Sequence, residues 1–315
     1  MRSLRSVPFL YFIVLSIVLL LPGVSSAGVS AGDIPEDSSW YFHADLKEMR
    51  RAEGGQDLHA WLDREVFEDL RDDLGIDFAR ETDRVTAFST GESGVAFVLE
   101  GPIETSSKDK LMSLAADAEQ FESYKHKGRE YHFVRGEFES DSGKIEVDNL
   151  DDGAYFSFAQ KNMLLISSTA EQMQALLDQR GRVPGQRGHG DALLVLSAER
   201  SLVQAGAQTG EFTGDEDNGW DSNFLKNAEQ VALLVADADG IIAVEAQMVT
   251  VSSEKAEALA NIARGILALQ AFGDDDDMEP HIRDILANTR IDVDDTVLKV
   301  NVALDPAIVI AALED

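Results

Sequence analysis

The chain has no cysteine. That one absence removes disulfides, thiolate nucleophiles and Cys-ligated zinc or iron–sulfur centres together. An exported protein without disulfides must hold its fold by burial alone, which suits a bacterial envelope better than a small eukaryotic secreted module. Lysine is also scarce: ten residues, within 27 Lys and Arg set against 58 Asp and Glu, for a net charge of −31. Such a surface repels phosphate backbones and anionic headgroups, so nucleic acid and passive membrane-surface binding are excluded as leading roles. Carboxylates stay hydrated and salt screens their repulsion, so a saline setting accounts for the acidity without any acid-dependent chemistry.

Long apolar runs are missing too, except at the start. A short basic end at Met1 to Arg5 precedes Val7 to Leu21, almost wholly apolar, and Pro22-Gly23 breaks the run before Val-Ser-Ser-Ala. This reads as a secretory signal peptide over residues 1–27, cleaved after Ala27 or, as second choice, Ala31. The run is shorter than the roughly 20 residues a spanning helix needs. With no lipid-bearing Cys and no second long run, the expectation is a periplasmic or secreted chain with no transmembrane anchor. Loss of Arg2 and Arg5 with the leader leaves 25 basic against 58 acidic residues.

What is present is an internal repeat. Val85 to Ser107 and Val231 to Ser253 match at an offset of 146 residues without a gap: Val85, Gly94, Val98, Ser106 and Ser107 fall on Val231, Gly240, Val244, Ser252 and Ser253. Each stretch reads as strand, Gly-bearing turn, strand and Ser-Ser helix start. Around the first, Trp40 to Leu46 reads as a strand and Asp57 to Leu74 as an amphipathic helix ended by Gly75. A helix is expected from Ser106-Ser107 to about Tyr124, then a strand at Glu130 to Arg135 and a loop or loose hairpin over 136–152. A hairpin about Lys161-Asn162 and a helix capped by Ser168 and Glu171 close the unit. Around the second, Ala192 to Ala198 is a strand, Glu254 to Phe272 a helix, and Arg290 to Leu304 a hairpin about Asp294-Asp295. A last helix enters through Asp305-Pro306.

The fold class is therefore α+β: two tandem similar units, each a largely antiparallel sheet with helices on one face. The first six elements are those of a ferredoxin-like split βαβ, with an extra hairpin and helix. The units span 28–182 and 191–315, joined by a Gly-rich linker at 183–190.

Candidate sites are few. Ser107 with Lys110, and Ser252 with Lys255, have the Ser-x-x-Lys spacing of penicillin-binding serine hydrolases, whose companion motifs are absent. Helix capping accounts for both serines. Gly91-Glu92-Ser93-Gly94 lacks the second Gly of a nucleophile elbow and reads as a turn. The six histidines include no pair three or four apart, while His132 and Glu130 share a strand face as a potential ligand pair. Asp215 to Asp221 and Asp274 to Glu279 are oxygen-rich loops that suit weak calcium binding but break the EF-hand pattern. Trp40, Phe42, Phe97, Tyr155 and Phe156 alternate along strands as core residues, or as the lining of a groove for an apolar ligand.

The succession GIDFARETDRVTAFSTGESGVAFVLEGPIETSSKDKLMSLA, then YHFV, then AYFSFAQKNMLLISSTAEQMQALL, resembles a loose class of exported bacterial proteins. In these a Gly-hydrophobic-Asp segment, an Asp-Arg-Val strand, a hairpin and a helix precede a closing hairpin and helix. The resemblance covers most of Trp40 to Leu177 and implies the α+β unit; the class has no assigned activity, so it brings no catalytic, cofactor or metal residues. The function expected is a noncatalytic cell-envelope protein that binds a protein partner or an apolar ligand. The alternatives are a serine hydrolase using Ser107 and Lys110, and a calcium-responsive adhesion or matrix module.

Overall fold

The computed structural model describes residues 38–90, 94–136, 138–140, 143–145, 153–182, 191–202, 228–271, 285–286 and 288–314. The leader, the linker at 183–190 and both acidic loops lie outside these. Of the described residues, 38–47 and 59–182 belong to one compact unit, and 48–58 with 191–314 to the other. Every strand pair within each unit is antiparallel, and helices make the class α+β.

In the first unit β1 (Ser38–Asp45) pairs with β2 (Arg84–Thr90), and β2 with β3 (Val95–Glu100). Between β1 and β2 run helices α1 (Leu46–Arg51), α2 (Glu53–Leu62), a π-helical turn at Asp63–Phe67, α3 (Glu68–Leu74) and α4 (Phe78–Glu81). Gly75 ends α3 at φ 61°, a backbone state that Gly adopts without a Cβ clash. Asp45 at the end of β1 faces Arg84 at the start of β2, so the helical excursion returns to the end of the sheet it left. That geometry overturns the split βαβ expectation: a split unit needs its first and third strands parallel and adjacent, whereas here three strands form a meander.

After β3, α5 (Thr105–Ala116) stops early, and Gln120–His126 is not helix but strand β4, paired with β5 (Arg129–Arg135). The turn between them is Lys127-Gly128, both at positive φ, as a two-residue hairpin turn requires. That turn competes with the helical reading and wins, because closing the hairpin pairs seven residues of β4 with β5. β6 (Phe138–Ser140) and β7 (Gly143–Ile145) make a separate two-stranded hairpin. β8 (Ala154–Ser157) and β9 (Met163–Ser167) are the closing hairpin, followed by α6 (Ala170–Asp178), whose N-cap is Thr169 rather than Ser168. Ser168 instead accepts from Val95 N at 2.9 Å. The sheet order in this unit is β1-β2-β3-β9-β8-β5-β4. Gln174 of α6 donates to the Tyr131 hydroxyl on one face, while Lys108 of α5 lies over Phe158, which meets Phe156 on the other. Helices therefore approach both faces of this sheet, not one.

The second unit orders its strands β10-β11-β12-β14-β13, where β10 is Ala192–Glu199, β11 Ala228–Ala238, β12 Ile241–Thr250, β13 Arg290–Asp294 and β14 Val297–Leu304. Asp239 and Gly240, at φ 55° and 88°, turn β11 directly into β12. A gapless repeat would set Val244 opposite Ala232, as Val98 stands opposite Thr86; the register sets Gln247 there. The 146-residue offset in pairing thus ends at the turn, although Gly94 and Gly240 each stand at positive φ immediately before the second strand. One row crosses all five strands, Ala198, Val231, Met248, Leu298 and Val293, and α7 (Ser253–Ala271) lays Leu259 and Ala260 on it. Helix α8 (Pro306–Glu314) opens with Asp305 accepting from Ala307 N at 2.9 Å. Among the described residues no helix is long and apolar enough to cross a membrane.

Leu298 is fully enclosed in that row. Leu298→Ala removes buried methyl groups and leaves a cavity, with an expected loss of about 2–5 kcal/mol, to be read from urea unfolding midpoints.

Candidate functional site

Strand alternation divides the first sheet into two unlike faces. Tyr41, Phe88, Ala96 and Leu165 share one face, and each is nearly inaccessible. The other carries a row fixed by register: Phe42 opposite Ala87, Ala87 opposite Phe97, Phe97 opposite Ile166, Ile166 opposite Phe156, and Phe156 opposite His132. Trp40 and Val95 lie on the same face, either side of Ser89. Here Phe97 is 36% exposed, and Trp40, Phe42, Val95 and Ile166 are only half-buried. One face is closed as core, and the other is an apolar surface left partly open to solvent.

The row closes at its β5 end. His132 is 8% exposed, its ring stacked on Phe121 at 5.4 Å and tilted against Phe156 at 5.1 Å. Its Nδ1 lies 2.9 Å from Ser123 Oγ. Burial pushes the imidazole below its ordinary pKa of 6.5, with the Glu130 charge opposing the shift. A neutral ring among Phe side chains is a wall for this surface, and Lys108, 5.9 Å from the Phe158 ring centre, adds a cation over its rim.

Of the five aromatic residues singled out by alternation, Trp40, Phe42, Phe97 and Phe156 meet on this face. Tyr155 points to the opposite one, where it touches Phe133 and Tyr131. Ile166 and Val95 complete the surface and carried no signal of their own. In Met163–Ser167 apolar residues occupy both parities, so alternation cannot say which faces where.

Ser107 is not a helix cap. It sits within α5, whose N-cap is Glu104, and its hydroxyl donates to Glu81 Oε1 at 2.7 Å, while Glu81 Oε2 accepts from Glu104 N at 2.9 Å. Glu81 and Ser107 are both buried. The carboxylate thus satisfies the first turn of α5 from α4, with the favourable sign for a helix N-terminus. Gly101 permits the approach: a Cβ there would stand 2.7 Å from Asp83 N and from the Cα of Thr82, and would clash with Glu81 O. The Lys110 ammonium lies against Gly75. Ser252, by contrast, does cap, accepting from Lys255 N at 3.3 Å. No local motif marks Glu81, because its partner is 26 residues away. The His132 and Glu130 pair gathers no third ligand: among the described residues no group of three His, Asp or Glu is placed to hold a metal.

No family profile and no curated protein matches the sequence. Solved structures of the treponemal protein TP0453 align with it over most of both chains. Crystal form III gives a TM-score of 0.45 at 10% identity, covering 92% of this chain and 99% of that one. Form I gives 0.46 at 10%, covering 91% and 97%, and form IV 0.47 at 8%, covering 92% and 98%. Likeness at this level carries no conclusion about this chain.

Two outcomes are expected. Glu81→Ala leaves the Ser107 hydroxyl and the α5 terminus without their charged acceptor and costs about 1.5–3 kcal/mol, against about 1 kcal/mol for Ser107→Ala, both by denaturant titration. His132 is held neutral, so its folded pKa lies below its unfolded one. On acidification the unfolded chain binds the proton first, and stability that is whole above about pH 6.5 is lost as pH falls toward the folded value. Melting temperature should drop between about pH 7 and pH 5, and His132→Phe should flatten that part of the profile.

Proposed function

We propose that the chain is an exported, noncatalytic cell-envelope protein that binds an apolar ligand, or an apolar segment of a partner, on the half-open face of its first sheet. The observation that carries the reading is Phe97, a large ring in the centre of a sheet that stays more than one-third exposed while its neighbours along the strand are sealed. A monomeric surface rarely leaves contiguous apolar area open without an occupant. The noncatalytic part is supported by Ser107, whose hydroxyl is committed to a carboxylate that also serves a helix terminus. Export rests on the leader read in residues 1–27.

The two units are proposed as copies of one ancestral segment. Each contains a first strand, a hairpin beside it, and a closing hairpin whose second strand pairs with the first hairpin, in the orders β1-β2-β3-β9-β8 and β10-β11-β12-β14-β13. Each first strand has its irregularity at the same place, at Ser38/Trp40 against Thr90/Ser89, and at Ala192/Leu194 against Ala236/Val235. Those partners are 146 residues apart, the offset of the sequence match. In this reading β4 and β5 have no counterpart among the described residues of the second copy.

Titration with a fluorescent apolar probe such as 1-N-phenylnaphthylamine tests the binding proposal. Phe97→Asp should weaken probe binding by about ten-fold or more, since it sets a charge in the centre of the apolar surface. Melting temperature should fall by some degrees, because the ring is still about two-thirds covered and Asp is a poor strand former, while the protein stays folded. Unaltered probe binding in a folded Phe97→Asp protein would remove this face as the site.

A further inference from the structure

We infer that β4 is a self-association edge, at which a second copy of this chain adds its own β4 antiparallel and continues the sheet through a two-fold axis. In the first unit β4 ends the strand order with β5 as its partner, so its other row of backbone donors and acceptors meets no further strand among the described residues. The pairing with β5 runs without a register shift, and β4 contains no proline. Edges that must stay single are usually kinked by bulges, broken by proline, shortened or charged; of these devices β4 carries charge alone, at Glu122 and Lys125. This one is seven residues long, and Glu122, Ser123, Tyr124 and Lys125 are exposed in succession.

Charge selects the occupant. A net −31 opposes contact between copies over most of the surface. Residues 117–129 lack that excess: Asp117, Glu119 and Glu122 precede the middle of β4, and Lys125, Lys127 and Arg129 follow it, so the segment is balanced and polar along its length. An antiparallel copy reverses that polarity. With Ser123 on the two-fold axis, Glu119 faces Lys127 of the second copy, Gln120 faces His126, Phe121 faces Lys125, and Glu122 faces Tyr124. No like charges stand opposite one another, and the isologous contact closes at two chains. Lys127 already holds Asp178 at 2.7 Å, an exposed pair that leaves donors of the ammonium free for a second carboxylate.

The test is sedimentation equilibrium of the purified protein up to about 100 µM, at low salt and at about 0.5 M salt. A dimer is expected that strengthens as salt screens the repulsion between two chains of net −31. Glu119→Lys and Lys127→Glu each turn an attractive pair into a repulsive one twice in the two-fold dimer, so each should raise the dissociation constant about ten-fold. The doubly reversed protein should recover most of it. Melting curves verify that the variants remain folded. A monomer at every concentration, a dimer unmoved by Glu119→Lys, or a double variant no better than the singles overturns the inference. So does a dimer abolished by Phe97→Asp, which would put the contact on the apolar face.

Discussion

Antiparallel backbone pairing of β3, between β2 on one side and β9 on the other, is the constraint from which the first unit follows. The side-chain period of a strand is two, so setting Phe97 opposite Ala87 and Ile166 decides at once which residues of five neighbouring strands join the core and which join the open surface. A one-residue slip would drive Ala96 and Val98 outward and bury Phe97. The register is held because the core face has no room for the alternative: Ala96 meets Phe88 directly, and Leu165 is wholly enclosed.

The ends of the sheet are secured by polar contacts rather than by bulk. Glu81 ties the turn before β2 to the start of α5, and Asp83 N donates to Glu100 O at 2.6 Å, so the two connections approach as closely as Gly101 allows. At the β5 end, His132 is neutral, stacked and bonded to Ser123, which lets a potentially charged group stand among phenyl rings. Without disulfides, the partly closed apolar face is left with a sealed core on its reverse side and fixed boundaries at each end. That combination allows a surface to remain open without loosening the sheet beneath it.

The second unit uses the same antiparallel pairing differently. Its row from Ala198 to Val293 is roofed by α7, and both parities of β12 are buried, including Glu245 and Gln247, whose side chains bond each other at 2.5 Å. Similar strand order therefore accompanies unlike surfaces. The sequence match falls on strand valines, on a glycine before each second strand and on a Ser pair whose hydroxyls do different work in the two units, so it carries no shared binding chemistry.

By itself the sequence determined the local elements whose causes are local. Gly75 ends a helix, Asn162 and Asp295 take the positive φ of hairpin turns, Asp305-Pro306 opens the last helix, and alternation puts Trp40 and Phe42 on one side of β1. Tertiary structure alone decided matters that depend on distant partners. It made Gln120–His126 a strand because β5 was there to pair with it, and joined β1, β2 and β3 as a meander where order along the chain fitted a split βαβ equally well. It also withdrew Ser107 from capping because Glu81 lies beside it. The same holds for the candidate surface: alternation names the residues on each strand, but only hydrogen-bonded register sets one strand's parity against the next, and only the placement of helices decides which face stays open.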